Sequence, residues 1–222
     1  MTALNSNSAN SENTWSGTYA ADRTGLLIVD PYNDFMSEGG KLFEITKASR
    51  EKADTFKHMK QVIEAARAAG IQVFIVPHHR SHPDDFKGWK FANPFQLAGV
   101  AGQPFAEGTW GGEFNVEFGP KQGDVIVKEH WAQSGFANTD LGAQLQQHSV
   151  THIILIGMVA NTCIESTGRY GMEQGYHVTL VKDATAAFSL EGMHAAHEIN
   201  GPTFAHAILT TEELLPLMPE AK

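Results

Sequence analysis

The chain holds a single cysteine, Cys163, among its 222 residues. One cysteine excludes an internal disulfide framework and a cysteine-cluster metal site, and it suits a reducing compartment. Basic residues are also scarce. Against 25 Asp and Glu there are 16 Lys and Arg, a net charge of -9, and no basic patch offers itself to nucleic-acid phosphates. No apolar run approaches the length of a membrane span, and the amino end lacks the basic start and apolar stretch of a signal peptide. These absences leave a soluble cytoplasmic protein whose partner is a small molecule, with neither nucleic acid nor membrane. Residues 1–20, rich in Ser, Asn and Thr, read as a flexible arm whose last part Trp15 and Tyr19 can dock. Residues 21–222 are enough for a single well-buried α/β domain.

What is there alternates between strand-like and helix-like patterns. Residues 24–30 (TGLLIVD) are an apolar run ended by an acid and by Pro31, the pattern of a central strand. Residues 50–70 space Phe56, Met59, Val62, Ile63 and Ala66 at helical intervals and stop at Gly70. Further strands are expected at 71–76, 124–128 (DVIVK), 152–157 (HIILIG), 176–181 and 207–210, with helices over 141–148, 191–204 and 211–218. His194 and His197 in the second of these helices, with His206 after it, read as a solvated face and not a metal site. The alternation predicts a three-layer α/β/α architecture around a mostly parallel sheet of roughly six strands. Ligands of such sheets bind at the carboxyl ends of the strands. Residues 77–123 break the periodicity and carry Trp89, Trp110 and several phenylalanines and glycines. A segment of that length is expected to cover the active-site edge and to contribute to a homodimer or homotetramer interface.

The stretch 157–171 (GMVANTCIESTGRYG) carries the chemistry. It ends an apolar strand, turns, and starts a helix at Cys163. A lone cysteine beside an apolar strand is most often a small buried hydrophobe. Two other strand ends argue otherwise, because a parallel sheet brings Asp30, Lys128 and Cys163 to one edge. A cysteine nucleophile needs a base, a positive charge and oxyanion donors. Asp30 can be the base, Lys128 the cation, and the turn 160–163 the donor, with the helix start favouring thiolate. The competing reading makes Asp30 and Lys128 a structural ion pair with Cys163 merely nearby.

Three blocks, LLIVDPYNDF, DVIVKEHWAQSGFANTDL and GMVANTCIESTGRYGMEQGYHVTLVKDATAAF, together resemble the isochorismatase-like cysteine hydrolases, the family that includes nicotinamidase and N-carbamoylsarcosine amidohydrolase. The resemblance runs from about residue 24 to 218. It implies an isochorismatase-like fold with Asp30, Lys128 and Cys163 as the triad. It also implies a cis peptide between Val159 and Ala160 that aims the Thr162 and Cys163 amides at the oxyanion.

One family feature is missing. Nicotinamidases bind a metal through an aspartate and a histidine after the second strand, where this chain reads VPHHRSHPDDFKGWK. Matching His82-Pro83 to the family's His-Pro puts Arg80 in the aspartate position, and a guanidinium cannot ligate a metal. No metal and no cofactor are therefore expected, although His78, His79, His82, Asp84 and Asp85 form a second candidate cluster. His78, His79 or Arg80 is expected to orient a polar substrate, and Phe35, Trp89 and Trp131 to wall the pocket, with core packing an equal alternative for Trp89. The retained cysteine favours hydrolysis of a C–N bond in a small amide, ureido or related compound through a thioester. The alternatives are a vinyl-ether hydrolase of isochorismatase type and a catalytically silent binding protein.

Overall fold

Six apolar runs form the strands β1 (Thr24–Val29), β2 (Gln72–Val76), β3 (Val125–Ile126), β4 (His152–Met158), β5 (His177–Ala186) and β6 (Ala207–Leu209) in the computed structural model, which describes residues 17–221. All neighbours pair in parallel, in the order β3-β2-β1-β4-β5-β6. The helices are α1 (Asn33–Met36), α2 (Lys47–Lys52), α3 (Thr55–Ala69), α4 (Pro94–Gly102), α5 (Leu141–Gln147), α6 (Glu165–Glu173), α7 (Leu190–His194) and α8 (Thr211–Leu214).

Side chains of β1 alternate between two cores, which is why an unbroken apolar run is needed there. Leu26 and Ile28 pack with Met59, Val62, Ile63 and Ala66 of α3 on one face. Leu27 and Val29 pack with Leu141 and Leu145 of α5 on the other. The chain runs outward from β1 to β2 and β3, then returns to pair β4 on the other side of β1. That reversal opens a crevice at the carboxyl ends of β1 and β4, where Val29 stands beside Gly157.

Some expected boundaries move. The single helix over 50–70 is two, α2 and α3, separated at Asp54, whose φ of 49° is left-handed. Thr55 fixes the new start by donating its hydroxyl to Thr185 O at 3.1 Å. The fifth strand runs on to Ala186 through a register shift. The helix over 191–204 is replaced by α7, a π segment at Ala195–Asn200 and a short turn at Gly201–Thr203. His197 in that π segment is buried, not solvated. Its ring bonds Thr185 Oγ1 at 3.2 Å and Met193 O at 3.2 Å. His194 and His206 are exposed. Most of the arm expected over 1–20, Trp15 included, lies outside the described residues. Tyr19 belongs to the core, where it is 1 % exposed and its hydroxyl lies 2.7 Å from Thr179 Oγ1. No helix among the described residues is long and apolar enough to cross a membrane.

Candidate active site

Asp30 follows β1 directly and is fully buried. Its φ of 56° is left-handed, which turns the chain out of the strand while its N–H still donates to Val76 O at 3.0 Å. An L-residue held there carries strain on the order of 1–3 kcal/mol, which the pairing on both sides of β1 must hold in place.

His130 is the residue that meets it. Beyond β3 the chain stays alongside β2. The His130 N–H donates to Pro77 O at 2.9 Å and the His79 N–H donates to His130 O at 2.7 Å, closing a short parallel bridge between His78 and His130. The buried imidazole then sets Nε2 at 3.0 Å from Asp30 Oδ1. A carboxylate only accepts, so Nε2 carries the proton of this contact. Among the described residues His130 Nδ1 and Asp30 Oδ2 have no hydrogen-bond partner.

Cys163 lies in the π turn Ala160–Ile164 that links β4 to α6, and it is 6 % exposed. Its Sγ lies 3.7 Å from Ala132 O and 3.7 Å from Thr162 Oγ1. Donor atoms of Asp30, His130 and Cys163 all fall within 4.8 Å of one another, the one such set of three among the described residues. The candidate cluster after β2 does not converge in this way. His79 and Asp85 pair at 3.0 Å, while His82 and Asp84 point to solvent.

Burial pushes the Cys163 thiol well above its ordinary range, and the negative charge of Asp30 adds to this, against the opposing pull of the Thr162 hydroxyl and the Val159 amide. The resting sulfur is therefore a neutral thiol beside a base. This corrects the expectation that the helix start alone would favour thiolate.

The cation expected at Lys128 is not at the site. Lys128 is exposed, its N–H donates to Asp140 Oδ1 at 2.7 Å, and it does not line the pocket. By strict alternation residues 128 and 130 share a face, so parity alone did not separate them. The choice depended on how far the irregular strand runs beyond Ile126, and the bond to Pro77 settles it in favour of His130. The cis peptide is also displaced by one residue, to Met158–Val159 instead of Val159–Ala160. The Thr162 N–H is taken by Val159 O at 3.1 Å. Of the amide pair expected to serve an oxyanion, this leaves the one of Cys163.

A cavity of about 670 Å³ opens above Asp30 and Cys163. Phe35, His78 and Trp131 line it as expected, and Phe105, Phe86 and Phe188 do so without having been singled out. Burial lowers the His78 pKa and keeps the ring neutral; its Nδ1 donates to His79 O at 2.7 Å. Arg80 and Trp89 stand outside the lining. The Arg80 guanidinium is tied to the Glu129 carboxylate and to Gly112 O, over the ring of Phe114. Trp89 is 58 % exposed and meets only the edge of Phe86 among described rings.

The isochorismatase domain model matches residues 24–212. The chain is 28 % identical over 200 residues to the ureidoacrylate amidohydrolase RutB of Pantoea ananatis, covering 84 % of this chain and 78 % of that protein. It is 30 % identical over 181 residues to the RutB of Yersinia enterocolitica, covering 75 % and 76 %. The crystal structure of a cysteine hydrolase from Pseudomonas syringae superposes with a TM-score of 0.75 at 26 % identity, covering 95 % of this chain and 98 % of that one.

Proposed function

The chain belongs to the isochorismatase family and is an enzyme, and from that premise we propose that it hydrolyses a C–N bond of a small amide, ureido or related compound through a Cys163 thioester. Asp30 accepts the thiol proton as Sγ attacks the carbonyl carbon. The developing oxyanion is received by backbone donors of the turn after β4, the Cys163 amide among them. The leaving ammonia or amine takes the proton from Asp30, and a thioester remains. Water then gives a proton to Asp30 and attacks the thioester, the acid leaves, and the thiol is restored.

His130 is the positioning partner. Its Nε2–H fixes the Asp30 carboxylate and stabilises its charge, the role that sequence reasoning gave to Lys128. The observation that carries the proposal is the buried set of Asp30, His130 and Cys163 at the β1/β4 crevice, with donor atoms within 4.8 Å. The amidohydrolase names of the relatives support the C–N class. No step requires a metal or cofactor. A thiol that must stay reduced fits a cytoplasmic location.

An ammonia-release screen over amides and ureides tests the reading. Cys163→Ser is expected to keep the fold and to lose more than nine-tenths of the turnover, since an unactivated hydroxyl is a far weaker nucleophile. Retention of the rate would remove covalent attack and return the vinyl-ether reaction, which needs the acid but not the thiol.

A further inference from the structure

The pocket has walls of one chemical kind. Phe35 and Phe105 meet at 5.1 Å between ring centroids, and Phe188 reaches Phe35 at 6.4 Å. Trp131, also in the lining, stacks on His79 at 3.9 Å and meets Phe86 edge to face at 5.8 Å. Ile45 and Phe95, both about half exposed, extend the apolar surface towards solvent.

The charged groups of the lining are already engaged. Lys41 Nζ donates to Gly102 O and Gln103 O at the carboxyl end of α4. Asp85 holds His79 Nε2 at 3.0 Å and the His82 N–H at 2.8 Å. His79 has its pKa raised by Glu129 and Asp85, so when it carries a proton two carboxylates already face it. Arg80 is committed to Glu129 outside the cavity. A substrate carboxylate entering here would meet Asp30 and Asp85, while the one lysine of the lining, Lys41, is exposed and already holds two carbonyls at the end of α4, so the carboxylate would leave water for little return.

We propose that the acyl-side substrate of this pocket is a neutral carboxamide or ureide bearing an aromatic or branched aliphatic group, and not a carboxylate-bearing ureide of the ureidoacrylate kind. This rests on the C–N hydrolase reading and narrows its substrate class. A cavity of about 670 Å³ has room for a ring-sized substituent beside the reacting carbonyl.

The single cysteine allows a test that does not depend on turnover. Cys163 is alkylated at pH 8.5 with iodoacetamide, N-benzyl iodoacetamide and iodoacetate, each rate being divided by that of the same reagent with glutathione and read by intact mass. The expected order is N-benzyl iodoacetamide at least tenfold above iodoacetamide, and iodoacetate at least tenfold below it. Phe95→Ala is expected to reduce the benzyl preference about threefold, and Ile45→Arg to raise the iodoacetate rate. A benzyl reagent no faster than iodoacetamide, or an iodoacetate rate above both, would overturn the proposal.

Turnover of phenylacetamide, benzylurea and ureidoacrylate separates this inference from the reading beneath it. Cleavage of ureidoacrylate with the highest kcat/KM would overturn the substrate class and leave the amidohydrolase standing. A benzyl preference in labelling with no C–N substrate cleaved would support the apolar ligand class and remove the amidohydrolase.

Discussion

A lysine and a histidine two positions apart are not equivalent partners for Asp30. An ammonium is a compact, strongly hydrated charge on a flexible stem, whereas an imidazole is a planar ring that can aim one N–H at a buried carboxylate from a fixed position. His130 does this at 3.0 Å, while Lys128 stays in solvent. His130→Ala is therefore expected to lower kcat at least about tenfold with little change in KM, and His130→Asn to recover part of the loss by restoring a donor. Lys128→Ala is expected to stay within about twofold of wild type, with an unchanged pH profile of Cys163 alkylation. The opposite pattern in steady-state kinetics would return the cation role to Lys128. Asp30 and Cys163 were legible in the sequence because each follows an unbroken apolar run that can only be a central strand. His130 was not, because it follows a short edge strand whose end is set by hydrogen bonds to Pro77 and His79, and no side-chain pattern records them.

The turn between β4 and α6 depends on one residue of β4 with no side chain. Gly157 has a φ of 114°, and a Cβ there would stand 2.2 Å from Val29 O. Gly157→Ala is expected to cost about 2 kcal/mol or more, through both backbone strain and overpacking, and to displace the turn that holds Cys163. Urea unfolding of the variant measures the first effect and ammonia release the second. A midpoint equal to wild type would show that β1 and β4 can separate without loss. The same element shows where apolar pattern reading succeeds and where it stops. β1, β4 and the core face of α3 were read correctly, since each needs a continuous or helically spaced apolar set. β5 was cut short at residue 181 because Lys182 and Asp183 look like a strand end. In fact they sit in an irregular stretch that rejoins β4 at Thr185. The helix expected over 191–204 met the same difficulty, because a π segment keeps nearly helical spacing.

At the scale of the whole molecule, three histidines gather at the edge of the sheet remote from the site. His177 lies with its ring centroid 4.9 Å from that of His152 and 4.8 Å from that of His206. Burial, with repulsion from those two rings, pushes the His177 pKa down to about 4. A depressed pKa means the unfolded chain binds the proton more readily. This stability is fully present above the ordinary value near 6.5 and is lost as pH falls towards 4. The loss is on the order of 1–2 kcal/mol once partial exposure is allowed for. The expected outcome is a Tm that falls between pH 6.5 and 4.5, with a flatter profile for His177→Gln; parallel profiles would remove the cluster as the cause. At the opposite edge the segment 77–123, which carries α4, leaves large apolar side chains in water. Phe91 is 82 % exposed, Val116 83 %, Leu97 53 % and Trp110 51 %. Exposed apolar groups this numerous within one segment are uncommon on a monomer and are explained if a second copy covers them. The expected result of light scattering at micromolar concentration is the mass of a dimer or tetramer, and Phe91→Glu, which touches neither Asp30 nor Cys163, is expected to shift it towards the monomer. A monomer mass for the unaltered chain would mean that these side chains face solvent and serve no interface between copies.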